Sequence, residues 1–327
     1  MRKNHRYIAL TLLCGLSPLV AWSAQPSQTD AQRAQEAAER ARHDRMPDTA
    51  GTGKYPAMKE EAASLPNHVL YRPANLSGLG GAKLGVYLFG NGACVDDGAS
   101  SRLHLLEVAS HGYLAIAPGR ILSGPGAKGA PPPAPSSQPA QLNVKSSYKD
   151  LLSAIDWATA QNADAKSPYY QRIDTGAIVA SGYSCGGAQA MRVAADPRVK
   201  TLVMMNSGLF KDGESAAIPE MDVRKAALKS LHTPVLYVIG GETDVAYGNS
   251  QDDFSRIDHV PVLVANLKGV GHGGTYWEPN GGKAASTVVA WLDWQLRGDA
   301  RAKKTFVGAV CGLCKDPAWV VQKKRID

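Results

Sequence analysis

The segment Gly182-Tyr183-Ser184-Cys185-Gly186-Gly187 constrains this chain more than any other, because of its flanks. The apolar run Ala177-Ile178-Val179-Ala180 precedes it, and the helix-compatible run Ala188 to Ala195 follows. Strand, tight turn and helix in that order is the setting in which G-x-S-x-G forms a nucleophile elbow. Such a turn holds its serine in a strained backbone conformation, so the side chains around it must be tiny. Gly182 and Gly186 supply that room, and Gly187 lets helix and strand pack closely. In a chain with 33 glycines the bare pattern is weak, and its place after a buried strand is what gives it weight. The competing reading is an ordinary strand-to-helix turn.

The start of the chain reads as a targeting segment. Arg2, Lys3 and Arg6 make a basic opening, Tyr7 to Val20 is apolar, and Ala21-Trp22-Ser23 places small residues where a signal peptidase needs them. The apolar stretch falls short of the roughly 20 residues of a membrane span. A secretory signal over residues 1–23 is therefore expected, with an uncleaved anchor as the alternative; Leu13 before Cys14 is too large for lipoprotein processing. Subtracting those three cations from the formal charge of +7 leaves +4, and the remaining charges are mixed in sign. Only Lys323-Lys324-Arg325 forms a basic run, so nucleic acid is not an expected partner.

Export would leave Cys94, Cys185, Cys311 and Cys314. An even count in an oxidising compartment favours disulfides, and four cysteines allow three pairings. Cys311-Gly312-Leu313-Cys314 reads most plainly as a local disulfide pinning the tail. A redox pair is the alternative, but no strand-to-helix start lies nearby to activate a thiolate. Half a zinc site is another, but no second ligand pair stands at suitable spacing.

Residues 24–64 are a polar leader, with Asp30 to Arg45 helix-favouring but nearly without an apolar face. From Leu65 onward, apolar runs alternate with helical stretches. Strands are predicted at His68–Tyr71, Lys83–Phe89, Tyr113–Ala117, Ala177–Ala180, Leu202–Met205, Val235–Ile239 and Val262–Leu267. Helices are predicted at Arg102–Ser110, Ser147–Ala160, Val223–Leu231 and Val288–Leu296. The alternation argues for an α/β fold with a mostly parallel sheet covered on both faces, whose ligand sites lie at the carboxyl ends of its strands. No G-x-G-x-x-G follows a suitable strand and no phosphate-cradling lysine loop is present, which argues against a nucleotide-binding sheet. A Pro/Gly-rich loop spans 124–139; it reads as surface, or as a wall over the site.

A serine hydroxyl attacks only when a base takes its proton, and the base needs an orienting partner. Asp244 follows the strand ending at Ile239, in Gly240-Gly241-Glu242-Thr243-Asp244; its rivals are Glu242 and Asp212, and a plain turn-forming role is the alternative. His272 is the one histidine that follows a strand in a Gly-rich loop, Gly269 to Gly274.

Ser184, Asp244 and His272, in that chain order and each after a strand, resemble the α/β-hydrolase superfamily over roughly residues 65–298. Leu88-Phe89-Gly90-Asn91-Gly92-Ala93-Cys94 and the elbow segment are most similar to secreted serine esterases of the dienelactone-hydrolase-like, polyester-hydrolase-like and acetylxylan-esterase-like branches. The resemblance implies an α/β-hydrolase fold, in which the strand ending at Phe89 neighbours the elbow strand. It implies an oxyanion hole with the N–H of Cys185 as one donor and that of Gly92 or Ala93 as the other, each donor worth about 3–4 kcal/mol. The chain lacks the His-Gly-Gly-Gly run of lipases and has no aromatic at the equivalent turn, where Asn91 or Ala93 stands; an ordinary turn is the other reading of Gly-Asn-Gly. On this geometry a disulfide between Cys94 and Cys185 would stiffen the hole and leave Cys311 to pair with Cys314; two packed free thiols are the alternative. Asn91, Tyr183 and Tyr276 are expected to touch substrate, with core packing as the plain alternative for the two tyrosines.

The expectation is thus a secreted or periplasmic serine hydrolase of carboxylic esters, acting on plant-polysaccharide or small acyl esters without metal or organic cofactor. Residues 65–298 would form the catalytic domain, and 299–327 an extension carrying the Cys-x-x-Cys. Alternatives are a polyester depolymerase or peptidase on the same fold, and a non-catalytic binding protein on a hydrolase scaffold.

Overall fold

A computed structural model describes residue 38 and residues 41–128, 144–214 and 218–327. The expected signal segment, most of the expected leader helix and the Pro/Gly-rich loop beyond residue 128 lie outside the described residues. The chain divides into two units, Met1–Arg42 and His43–Asp327. Of the first, Ala38, Ala41 and Arg42 are described, and they are helical. No helix among the described residues is long and apolar enough to cross a membrane.

The second unit carries one nine-stranded sheet: β1 (Ala57–Glu61), β2 (His68–Pro73), β3 (Leu84–Gly90), β4 (Tyr113–Pro118), β5 (Ile173–Tyr183), β6 (Val199–Met205), β7 (Val235–Ile239), β8 (Val262–Leu267) and β9 (Trp319–Lys324). The order across it is β1-β2-β4-β3-β5-β6-β7-β8-β9. The central run from β4 to β8 is parallel, while β1, β2 and β9 pair antiparallel to their neighbours. β3 lies directly beside β5, so Gly90 and Gly182 are register partners at their carboxyl ends.

Alternation along each central strand feeds two cores. Val86 and Leu88 of β3 join one apolar cluster, and Tyr87 and Phe89 join the other. Helices α1 (Arg102–Ser110), α2 (Tyr148–Ala163), α3 (Cys185–Val193), α4 (Tyr247–Arg256) and α5 (Gly282–Arg297) cover the sheet. Leu151, Ile155 and Trp157 of α2 and Met191 of α3 pack into the first cluster; Leu105 of α1 and Val288, Trp291 and Leu292 of α5 pack into the second. This is the covered parallel sheet that continuous apolar strands demand. α2 starts at a capping box, in which Ser147 Oγ accepts from the Lys149 N–H and Asp150 Oδ2 accepts from the Ser147 N–H.

Three elements differ from the sequence expectation. The stretch expected as helix 223–231 is instead a short 3-10 helix, Lys225–Ser230. β1 lies inside the span read as leader, and β9 inside the span read as tail, so the sheet begins before residue 65 and ends after residue 298. The short helices Ala300–Lys303 (α6) and Gly312–Lys315 (α7) lead into β9. Cys311, which caps α7, and Cys314 within it are joined to each other as the local disulfide expected there, which leaves no thiolate for half a zinc site.

Residues 43–48 are held by one buried cation. The Arg102 side chain is wholly buried; it donates to the carbonyls of His43 (2.6 Å) and Met46 (2.8 Å), and pairs with Asp48 (3.1 Å). Arg102→Ala is expected to lower stability by about 3 kcal/mol, since the buried carbonyl of His43 and the half-buried carbonyl of Met46 lose their donor. Denaturant unfolding checks this, and a loss within experimental error would contradict it.

Candidate active site

The elbow is a backbone-on-backbone packing problem. A Cβ on Gly182 would overlap the carbonyl of Gly186, and a Cβ on Gly186 would overlap the carbonyl of Gly90. These two glycines therefore let the end of β5, the start of α3 and the end of β3 meet. A Cβ on Gly187 would strike Ser207 in the loop after β6 and would also crowd the carbonyl of Gly182 at 3.3 Å, so this glycine lets α3 pack against both. Ser184 takes φ +53° and ψ −118°, a region that L residues rarely adopt. Its backbone is fixed on both sides by β6 and the loop that follows: Ser184 N–H donates to Met205 O (3.0 Å), and Ser207 Oγ donates to Ser184 O (2.8 Å).

His272 and Asp244 reach the same point from the loops after β8 and β7. His272 Nε2 lies 3.0 Å from Ser184 Oγ, and its Nδ1 lies 2.7 Å from Asp244 Oδ1. The Asp244 side chain is wholly buried, whereas that of His272 is 31 % exposed, so the far end of the relay opens outward. The Asp244 carboxylate meets four donors. Oδ1 accepts from His272 Nδ1 and from the Ala246 N–H (2.9 Å); Oδ2 accepts from the Gly240 N–H (3.0 Å) and from Asn206 Nδ2 (2.8 Å). Burial pushes the carboxyl up, but the hydrogen bonds from His272, Ala246 and Gly240 outweigh it and hold the group below its ordinary range. The ionised carboxylate can only accept, so Nδ1 of His272 carries the proton and the lone pair of Nε2 faces the Ser184 hydroxyl. The rival acids stand elsewhere: Glu242 is exposed, and Asp212 pairs with Arg256 at 2.9 Å.

The segment after β3 forms a 3-10 turn, Gly92–Cys94, with Ala93 and Cys94 both at positive φ. Its internal bonds run from Cys94 N–H to Asn91 O and from Val95 N–H to Gly92 O. The N–H groups of Gly92 and Ala93 stand at its start, and that of Cys185 stands at the first turn of α3, where no acceptor within the helix is available. A disulfide joins Cys94 to Cys185, tying the two segments that carry these donors. Ile218 packs on the buried sulfurs, with Val144 and Met221 around it.

Two expected substrate contacts are corrected. Asn91 is wholly buried and its amide turns inward, donating to Val95 O (3.0 Å) and Pro118 O (2.7 Å), so it braces the left-handed turn. Tyr276 is buried among Phe89, His104 and Tyr183, and is core. Tyr183 is half-buried and supports the histidine loop: its Oη donates to His272 O (3.0 Å), and its ring lies 5.4 Å from the imidazole. Two further residues at the site, Asn206 and Ser207, carry no motif of their own. Both follow the apolar run of β6 at the same sheet edge, which is the one signal the sequence offers for them.

Among the described residues, no group of three or more His, Cys, Asp or Glu side chains could hold a metal ion. No protein-family model matches the chain, and no curated protein matches it as a relative.

Proposed function

We propose that this protein is a serine hydrolase of carboxylic esters, built as an α/β-hydrolase and exported to an oxidising compartment. The observation that carries the reading is the unbroken relay from Ser184 Oγ through His272 to Asp244, placed on a strained strand-to-helix turn. A strained positive φ at a serine is not a cheap way to end a strand, and it points the hydroxyl outward from the sheet edge. The neighbouring pair of helix-start and turn-start N–H groups supports acyl transfer in particular. Two disulfides support export, because such bonds persist outside reducing compartments.

On this reading Ser184 Oγ attacks the ester carbonyl carbon while its proton passes to His272 Nε2. The carbonyl oxygen becomes an oxyanion and accepts from Cys185 N–H and from Gly92 or Ala93 N–H. Collapse breaks the bond to the alkoxide, which takes the proton from Nε2 and leaves as the alcohol. Water enters, gives a proton to Nε2 and attacks the acyl-Ser184 carbonyl. The second collapse returns the proton to Ser184 Oγ and releases the acid. Asp244 holds the imidazole in one tautomer and balances its charge when protonated.

A panel of nitrophenyl esters, acetylated xylan, feruloyl esters and an aliphatic polyester tests the function and its substrate class. Hydrolysis is expected on at least the small acyl esters, with a burst of nitrophenol equal to the enzyme present and none from Ser184→Ala. A parent protein as inert as that variant on every ester would remove the proposal.

A further inference from the structure

The segment closing β6, Met205-Asn206-Ser207, bonds to the Ser184 backbone, to the Asp244 carboxylate and to the carbonyl just before His272. β6 lies between β5, which delivers the serine, and β7, which delivers the acid. Met205 O and Ser207 Oγ clasp the Ser184 backbone from its two sides. Between them, Asn206 sits at φ +45° with its side chain buried, and its own N–H donates to Val238 O of β7 (2.7 Å). Its amide Nδ2 donates to Asp244 Oδ2 at 2.8 Å and to Gly271 O at 3.2 Å, the residue before His272. One NH2 group therefore spans the acid and the loop of the base. The surroundings are cut to fit it: a Cβ on Gly274 would come 2.8 Å from Asn206 Oδ1, and a Cβ on Gly240 would come 3.0 Å from Nδ2.

We infer that Asn206 is a positioning residue of the relay, holding the Asp244 carboxylate and the His272 loop in one mutual arrangement. The inference rests on the proposed hydrolytic reading of Ser184, Asp244 and His272. The amide suits the task because Asn tolerates positive φ and supplies two donor hydrogens on one nitrogen, enough for both acceptors at once. It adds no charge beside a buried ion. A carboxylate there would face Asp244 across a hydrogen-bond distance, and an alkyl group would leave Oδ2 short of a donor. The ionisable groups around that carboxylate are His272 and the buried Tyr276. Asn206 touches neither Ser184 Oγ nor substrate in this account; it acts through Asp244 and His272.

The experiment compares the parent with Asn206→Gly, which keeps the positive φ and deletes the amide, and Asn206→Asp, which keeps the shape and replaces the donor with an acceptor. With nitrophenyl acetate, kcat is expected to fall about tenfold or more in both while KM changes by less than about threefold. In Asn206→Asp the acid limb of kcat against pH is expected to move to higher pH, since an added anionic group favours the imidazolium. The low-field proton resonance of His272 Nδ1 is expected to shift in both variants. Folded variants with parental kcat and acid limb overturn the assignment, as does a loss confined to KM. If Asn206→Asp does not fold, Asn206→Gly decides on kcat, KM and the proton resonance. A parent without ester hydrolysis sinks the functional proposal alone; the Nδ1 resonance then judges Asn206, and an unchanged resonance in the variants overturns the inference.

Discussion

Asp244→Asn lowers kcat for ester hydrolysis by about four orders of magnitude with the fold retained, the scale of loss met when a triad acid becomes an amide. The expectation comes from the donors around the carboxylate. Oδ1 faces His272 Nδ1 and the Ala246 N–H, and Oδ2 faces the Gly240 N–H and Asn206 Nδ2. An asparagine brings its own NH2, and there is no place for it. Turned toward His272, the NH2 meets the fixed Ala246 N–H and drives the imidazole into the tautomer whose Nε2 carries a proton. That tautomer offers Ser184 a donor in place of a base. Turned the other way, it meets the fixed Gly240 N–H and displaces Asn206. The first arrangement takes the base away from Ser184, and the second pushes off the Asn206 amide that steadies residue 244; neither empties any space. Steady-state kinetics of the purified variant check this, and a loss smaller than about tenfold would contradict the role given to Asp244.

The two disulfides differ sharply in expected effect. Cys94 and Cys185 are 91 residues apart in sequence, whereas Cys311 and Cys314 are 3 apart. By chain entropy the first is worth about 4–5 kcal/mol and the second about 1–2 kcal/mol. Only the first ties the turn bearing the Gly92 and Ala93 donors to the helix start bearing the Cys185 donor. Replacing Cys94 and Cys185 together by serine is therefore expected to lower stability by about 4 kcal/mol. It should also lower kcat by about a hundredfold or more, through loss of one oxyanion donor's alignment. Replacing Cys311 and Cys314 should leave kcat within about twofold of the parent. Denaturant unfolding and kcat on the same samples separate the two effects. Equal kcat in the two double variants would sever the link between the first disulfide and the oxyanion donors.

What could be read from the sequence follows a physical rule. Ser184, Asp244 and His272 each follow an apolar run that parallel pairing buries on both faces, and such runs stand out from their flanks. The edge strands do not. β1 reads Ala-Met-Lys-Glu-Glu and β9 reads Trp-Val-Val-Gln-Lys-Lys, because an edge facing solvent carries charge that blunts further pairing. β1 has no apolar run, and β9 offers only Trp319-Val320-Val321 before its polar end, too short a run to stand out, so the boundaries at 65 and 298 fall inside the sheet. The direction of a loop side chain was equally hidden. Asn91 turns inward because the left-handed residues Ala93 and Cys94 need their turn braced from below, and no neighbour in sequence signals that. Tyr276 lies beside the histidine loop in sequence, but Phe89, His104 and Tyr183 from three other segments bury it. Asn206 follows an apolar run as plainly as Asp244 does. Its importance comes from a strand between two others, and strand order is not written in any local pattern.

The most direct measurement is covalent labelling with a fluorophosphonate, followed by mass mapping of the modified peptide. The reagent phosphonylates a serine only when a neighbouring base withdraws the hydroxyl proton and donors receive the developing oxyanion. One adduct per chain is expected, on Ser184, and none on the same timescale in His272→Ala. A folded parent protein that stays unlabelled, or carries the adduct on another residue, would contradict it.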